Sequence, residues 1–120
     1  MAAATELDFE MHKGDTQYIT VNVTHEDGTD KSLVAVTSIK WQMAKRSKGT
    51  PILSKAIGSG VQIVGAPADG VVKVSIDPED TEDLKPMDYY HELEVVDSDG
   101  DVQTVLIGAL TLLPALIANT

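Results

Sequence analysis

Three aspartates at alternate positions of one turn have the residue type and the spacing that a metal ion requires. Asp97, Asp99 and Asp101 surround Gly100, and carboxylate oxygens in a glycine-containing turn are ligands that calcium accepts. A calcium loop of the helical type also carries a glutamate about six residues after its glycine, and that position here is Leu106. Aspartate and glycine are favoured in turns for backbone reasons alone. The pattern therefore favours a solvated hairpin tip, and calcium binding at this turn stays open.

The three histidines are the next candidates for metal or acid–base chemistry. His12, His25 and His91 stand far apart, and no spacing brings two of them onto one element, so neither zinc nor a histidine-based triad has local support. His91 falls on the apolar face of a predicted strand. We interpret it as a core histidine with a hydrogen-bond partner.

Other routes to catalysis are missing from the sequence. The chain has no cysteine, which excludes disulfides, thiolate nucleophiles and cysteine-bound zinc. The Gly58-Ser59-Gly60 segment lacks the strand-to-helix context of a nucleophile elbow, and no phosphate loop or dinucleotide fingerprint occurs. We therefore predict no catalytic residue, no cofactor and no metal site, and we expect a protein that is not an enzyme.

Length and composition indicate one globular domain. The 120 residues are 42% hydrophobic, and we assign all of 1–120 to one domain, with 1–6 and 114–120 as arms or interface segments. The net charge of −10 disfavours nucleic acid and anionic lipid as partners. The most apolar stretch, 105–118, is shorter than the roughly 20 residues of a membrane span. The start of the chain lacks the pattern of a secretory signal.

A hydrophobic period of two recurs along the chain, with turn signals between the runs. This pattern predicts an all-β, immunoglobulin-like antiparallel sandwich of about seven to nine strands, with at most one short helical turn near 78–84. The last strand, 102–113, is apolar on both faces, so we expect both faces to be covered.

The inward phase of each strand defines a predicted core. Its members are Phe9, Ile19, Val21, Val23, Ile39, Trp41, Met43, Val74, Ile76, Tyr89, Leu93, Leu106 and Leu110. Leu84-x-Pro86 followed by Tyr89 or Tyr90 is similar to the tyrosine corner of such sandwiches, and strand phase favours Tyr89. The alternative is an aromatic core residue with no corner bond.

Charge is unevenly distributed along the chain. Between Asp30 and Asp69 there is no acid, whereas six bases lie there: Lys31, Lys40, Lys45, Arg46, Lys48 and Lys55. Two unlike surfaces on one chain suit head-to-tail contacts between copies. We predict that Lys45, Arg46 and Lys48 meet acids of an adjacent subunit, with the following as candidates: Glu79, Asp80, Glu82 and Asp83. The alternatives are that these bases pair within the same chain or touch DNA.

The apolar end of the chain is a second predicted interface. Leu113, Leu116 and Ile117 lie around Pro114 and extend beyond the predicted sheet, and exposed apolar residues of this kind mark contact surfaces. A partner chain or the protein's own sheet would cover them.

An ordered series of turn and strand motifs runs from Gly14 to Leu113. The series consists of Gly14-Asp15-Thr16, Glu26-Asp27-Gly28, Ile39-Lys40-Trp41-Gln42-Met43, Pro51-Ile52-Leu53-Ser54-Lys55, Ile76-Asp77-Pro78-Glu79-Asp80-Thr81, Tyr89-Tyr90-His91-Glu92-Leu93-Glu94-Val95, Ser98-Asp99-Gly100 and Gly108-x-Leu110-Thr111-Leu112. In this order the chain resembles small β-sandwich structural proteins of tailed bacteriophages. These are tail and baseplate accessory domains, including the N-terminal domain of baseplate upper proteins.

The resemblance implies a non-enzymatic virion protein in the tail, neck, baseplate or capsid surface. Its expected partners are other virion proteins and copies of itself in an oligomer or ring, and its expected location is the virion, after synthesis in the cytoplasm of a bacterial host. The alternative function is a carbohydrate- or receptor-binding module. We rank it second because the chain has only one Trp, three Tyr and one Phe, whereas such sites expose several aromatic rings.

Overall fold

The computed structural model describes residues 5–24, 29 and 31–115. Nine strands lie in this part of the chain: β1 (Thr5–Glu6), β2 (Phe9–His12), β3 (Gln17–Asn22), β4 (Val36–Ala44), β5 (Pro51–Ile57), β6 (Gly60–Ile63), β7 (Val71–Ile76), β8 (Asp88–Asp97) and β9 (Val102–Leu113). The short helix α1 (Pro78–Thr81) and a 3-10 turn (Pro67–Asp69) connect them. The predicted all-β class is confirmed. Within the described residues, no helix is long and apolar enough to cross a membrane.

The strands form two layers. One layer has the order β9–β8–β4–β5, with β1 and β2 parallel to the outer edge of β9, and the other has the order β6–β7–β3. In the part of the chain that the structure describes, backbone pairing joins the two layers where β5 and β6 pair over two residues, Ala56 with Gly60 and Ile57 with Val61. The order β3–β7–β6 corresponds to strands B, E and D of an immunoglobulin-type sandwich, and β4–β8–β9 corresponds to C, F and G. The predicted sandwich is therefore confirmed.

One hydrophobic core fills the space between the layers. Trp41, Ile39 and Leu93 are fully buried within it. The predicted core residues are all buried except Phe9, which is half-buried and packs against the cluster. Phe9 differs because β2 lies at the edge of its layer, where one side of the ring faces outward.

The apolar character of β9 has a local explanation. Leu106 pairs with Leu93, whereas Thr104 pairs with Glu94, so Val105 is an extra residue in a β-bulge. Val105 and Leu106 are consequently both buried. On the outer face Ile107 is only half-buried, so the described residues do not cover both faces of this strand as expected.

The connection from β7 to β8 contains the predicted tyrosine corner. The Tyr89 hydroxyl donates a hydrogen bond to the Lys85 carbonyl at 2.5 Å, which confirms the assignment to Tyr89. In the same connection, Asp77 and Asp80 form a capping box at the start of α1, where the sequence predicted a helical turn.

The predicted helical turn near 78–84 is present as α1, and the Pro67–Asp69 segment forms a short 3-10 turn as well. Pro67 fixes its own φ at the start of this turn. Gly70, with φ of 73°, ends it by donating its N–H to the Pro67 carbonyl.

Register places the connections at two opposite ends of the sandwich. Ala44 pairs with Tyr90, so the β4–β5 loop lies beside the start of β8. Gln17 pairs with Ile76, so the β2–β3 turn and α1 share that end. The β8–β9 hairpin lies at the other end.

Candidate functional site

The β4–β5 loop presents three cations to solvent. Lys45, Arg46 and Lys48 are all exposed. The loop closes with a hydrogen bond from the Gly49 N–H to the Arg46 carbonyl at 2.9 Å. Lys48 adopts φ of 66°, and a Cβ atom at Gly49 would lie 2.9 Å from the Arg46 carbonyl oxygen. The tight turn therefore fixes the directions in which the three cations leave the backbone.

A pocket of about 340 Å³ lies between this loop and the outer face of the sheet. Gln42 of β4 and Tyr90 and Glu92 of β8 form its strand side, and Arg46 and Lys48 contribute from the loop. A second depression, of about 410 Å³, lies on the outer face of the sheet, and Tyr90 lines it as well. The surface can therefore receive a side chain or a small polar ligand next to an aromatic ring.

Tyr90 is held by polar neighbours. Its hydroxyl donates to the Glu92 carboxylate at 2.9 Å. Burial, followed by the hydrogen bond and the negative charge of Glu92, raises the pKa of Tyr90, and a hydrogen bond from Ser47 opposes this change. The tyrosine is thus neutral at physiological pH, and its ring is fixed beside the cations of the loop.

The three loop cations form no ion pair with an acid in the described part of the chain. The ion pairs present there belong to Lys55, whose Nζ lies 2.7 Å from Asp80 and 3.9 Å from Asp77. Pairing within the chain, the alternative raised by the sequence, therefore applies to Lys55 and does not apply to the loop.

The predicted acidic partners divide into two groups. Asp80 accepts both the Lys55 ammonium and the Asp77 N–H, and its side chain is only 14% exposed. It therefore has a structural role within the chain. Glu79 and Asp83 are exposed and Glu82 is half-buried.

These acids and the cationic loop lie at the same end of the sandwich. A head-to-tail contact along the long axis would therefore not bring one set against the other. A contact between the same ends of two copies, or with another protein, would do so. Leu113 at this end is half-buried, and the other two predicted apolar contacts, Leu116 and Ile117, lie outside the described residues.

The Asp97–Asp101 turn satisfies its own backbone. The Asp97 Oδ1 atom accepts the N–H groups of Asp99 and Asp101, each at 3.0 Å, and Gly100 adopts φ of 85°. Ligand atoms of the three carboxylates lie within 4.8 Å of one another. The Asp97 carboxylate therefore serves the turn itself, whereas Asp99 and Asp101 are exposed, and the structure does not assign a cation to the three residues.

His91 is the predicted core histidine. It is fully buried, its Nδ1 accepts the indole N–H of Trp41 at 3.1 Å, and its Nε2 lies 2.9 Å from the Leu7 carbonyl. Because Nδ1 accepts, Nε2 carries the proton and donates it to that carbonyl. Burial lowers the pKa of His91, while the Leu7 carbonyl and the charge of Asp8 act in the opposite direction. The neutral ring therefore ties the segment between β1 and β2 to the core.

The remaining histidines form no site with His91. His12 is exposed, and its Nδ1 contacts the Pro114 carbonyl at 3.1 Å. His25 lies outside the described residues.

The pocket residues Gln42, Ser47, Tyr90 and Glu92 were not predicted as site residues. In β8, Tyr90 and Glu92 alternate with the buried Tyr89 and His91, so strand alternation places them on the outer face. Their proximity to the basic loop depends on the register of β4 against β8, for which the sequence contains no local signal.

Comparisons with known proteins do not show a family for this chain. No protein-family model matches the chain, and no curated protein matches it significantly. Among solved structures, the chain is similar to the fibronectin(III)-like modules of Clostridium thermocellum CbhA, with 10% sequence identity and a TM-score of 0.48 over 95% of each chain.

Proposed function

We propose that the protein is a non-enzymatic assembly module of a tailed-bacteriophage virion, and that its β4–β5 loop binds an acidic surface of a neighbouring protein. The observation that carries the binding site is the set of three exposed cations, Lys45, Arg46 and Lys48, without an acidic partner in the described part of the chain. The virion context rests on the resemblance of the motif series to tail and baseplate accessory domains.

The physical argument starts from the net charge. On a chain of net charge −10, a compact group of cations attracts an acidic partner locally, although the whole molecule repels it. Tyr90 adds an apolar ring beside the charges, and aromatic rings and arginine are the residue types that contribute most to protein interfaces. The partner is therefore a protein with exposed acids near a side chain that fits the pocket.

The acids near α1 of a second copy fit this description. Glu79, Glu82 and Asp83 lie at the same end as the basic loop, so two copies that meet through these ends would exchange two equivalent sets of contacts. Such a contact is isologous and closes on itself.

The virion assignment is tested in the source bacterium. Phage particles purified on a density gradient should contain the chain in a fixed ratio to the other particle proteins by quantitative mass spectrometry. A chain carrying Lys45→Glu, Arg46→Glu and Lys48→Glu should be made but be absent from particles. The matched control Lys31→Glu, Lys40→Glu and Lys73→Glu changes three lysines away from this end, and it should enter them. Recovery of the unmodified chain only in the particle-free fraction would contradict the assignment.

The pocket supports a carbohydrate-binding module as the second candidate function. Gln42 and Glu92 offer hydrogen-bond groups beside the Tyr90 ring, which is the combination that a sugar ring uses. A glycan array separates the two functions. Binding of a defined glycan that Tyr90→Ala abolishes would favour this second candidate.

A further inference from the structure

The pocket between the β4–β5 loop and the sheet contains polar groups that the described part of the chain leaves without a partner. They are the Gln42 amide, the Arg46 guanidinium and the Lys48 ammonium, none of which joins a hydrogen bond or an ion pair with a described residue. The pocket volume of about 340 Å³ lies at the lower end of the roughly 300 to 1,000 Å³ of small-molecule sites. The pocket therefore has room, and unused polar groups, for one small ring.

The hydroxyl of Tyr90 is already occupied. It donates to the Glu92 Oε2 atom at 2.9 Å and accepts a hydrogen bond from Ser47. A phenol has one proton to donate, so this tyrosine cannot donate to a ligand while it holds Glu92. What Tyr90 offers to a ligand is its ring, which is an apolar surface with a fixed position.

Gln42 and Glu92 form the polar strand side of the pocket. They stand directly opposite each other on β4 and β8, where Cβ atoms lie about 5 Å apart. The amide can donate and accept, whereas the carboxylate can only accept. A ligand hydroxyl serves both residues, because it donates to Glu92 and accepts from Gln42. A carboxylate or phosphate in the same place brings only acceptors and meets the negative charge of Glu92.

The loop side of the pocket has the opposite requirement. Arg46 and Lys48 carry positive charge and are exposed, and no ion pair in the described residues joins either of them to Glu92. Both cations attract an anion, and arginine binds a carboxylate through two parallel hydrogen bonds. A complementary ligand therefore has one acid at one end and hydroxyls at the other. A polyanion would place a second negative charge against Glu92.

We propose that this pocket binds an acidic sugar, that is, a pyranose ring that carries one carboxylate, as a uronic acid does. The carboxylate pairs with Arg46 and Lys48. The hydroxyls exchange hydrogen bonds with Gln42 and Glu92, and the C–H face of the sugar packs against the Tyr90 ring.

Other ligands use only part of this site. A neutral sugar leaves both cations without a partner, and an aspartate or glutamate side chain has no hydroxyl for the Gln42 and Glu92 pair. The inference rests on the second candidate function, a carbohydrate-binding module, and narrows its ligand to a charged sugar. Because the same cations serve the acidic protein surface of the first candidate, the two ligands would compete for the loop.

Methyl glucuronide and methyl glucoside are matched probes, since they differ only in the carboxylate. Nuclear magnetic resonance titration of the ¹⁵N-labelled full chain measures their binding. Methyl glucuronide should cause saturable chemical-shift changes in the β4–β5 loop and at Gln42, Tyr90 and Glu92. Its dissociation constant should be at least about tenfold lower than that of methyl glucoside, and at least about tenfold lower than that of acetate, which supplies the carboxylate without the ring.

Two variants test the two sides of the pocket. Lys48→Gln should raise the dissociation constant of methyl glucuronide about threefold or more and leave that of methyl glucoside unchanged. The control Lys73→Gln removes the same charge from β7 in the other layer and should change neither. Glu92→Gln removes the charge that repels anions, so it should reduce the preference for methyl glucuronide over acetate.

Three results would overturn the proposal, and each has a different consequence for function. Equal affinity for methyl glucoside would overturn the acidic sugar and leave a module for neutral carbohydrates standing. Equal affinity for acetate would mean that the loop recognises charge alone. Absence of saturable binding by every probe would contradict the carbohydrate-binding candidate as well. The virion assignment is decided separately, by incorporation of the loop variants into particles.

Discussion

Trp41 and His91 share a hydrogen bond in the centre of the core, where the indole Nε1–H donates to the imidazole Nδ1 at 3.1 Å. The other imidazole nitrogen reaches the Leu7 carbonyl, so one neutral ring joins β4, β8 and the segment before β2. A protonated ring would turn its Nδ1–H toward the Trp41 N–H, and two donors would face each other.

Stability should therefore fall in mild acid. Because the folded-state pKa of His91 lies below the usual 6.5, the unfolded chain binds the proton first. The stability that His91 contributes is present above pH 6.5 and is lost as pH falls through the folded-state pKa. Urea unfolding from pH 8 to pH 5 measures this loss. His91→Gln should flatten the dependence, while His12→Gln should not, and equal slopes for all three proteins would contradict the assignment.

Truncation of Trp41 tests the core. Trp41 is fully buried, so Trp41→Ala should lower the free energy of unfolding by about 3 to 5 kcal/mol. Trp41→Phe keeps most of the volume and removes the N–H donor, so it should cost less than the alanine variant. A loss below about 1 kcal/mol for Trp41→Ala would place the side chain outside a well-packed core.

Gly108 allows the chain before β2 to approach β9. A Cβ atom at Gly108 would overlap the Leu7 carbonyl, which is the group that His91 binds. Gly108→Ala should therefore cost about 1 to 3 kcal/mol and should increase amide hydrogen exchange in residues 5–12. Ala109→Ser, at the next position of the same strand, serves as the control. Unchanged exchange in Gly108→Ala would show that the close approach is not required.

Because of the tyrosine corner, loss of the hydroxyl should lower the free energy of unfolding more at Tyr89 than at the adjacent Tyr90. Tyr89→Phe leaves the Lys85 carbonyl without its donor and should cost about 1 kcal/mol or more in urea unfolding. Tyr90→Phe removes a hydroxyl from a surface pocket, so its effect on stability should be small. Equal losses for the two variants would contradict this assignment.

The period-two pattern was sufficient to predict the two layers, because the alternation of apolar residues within each strand shows which of its faces is buried. Ile19, Trp41 and Leu93 are buried as their phase predicts, and Tyr89 was identified by its position after Pro86. Features that depend on pairing between distant strands had no such signal. The bulge at Val105 requires the register of β9 against β8. Similarly, β3 ends its layer because β1 and β2 pair with β9 in the other layer.

The site was predictable only in part for the same reason. The basic loop was visible as a run of bases. Asp80 was expected at an interface. Its ion pair with Lys55 could not be predicted, because it depends on the position of β5 beside α1 in the fold.

The central claim is that the β4–β5 loop binds an acidic protein surface. Its most direct test is particle assembly in vitro, with purified chain added to particles that lack it, at low and at high salt. We predict that Lys45→Glu, Arg46→Glu and Lys48→Glu together abolish incorporation while far-UV circular dichroism stays unchanged, and that incorporation of the unmodified chain weakens with salt. Normal incorporation of the triple variant at low salt, where charge contacts are least screened, would contradict the claim.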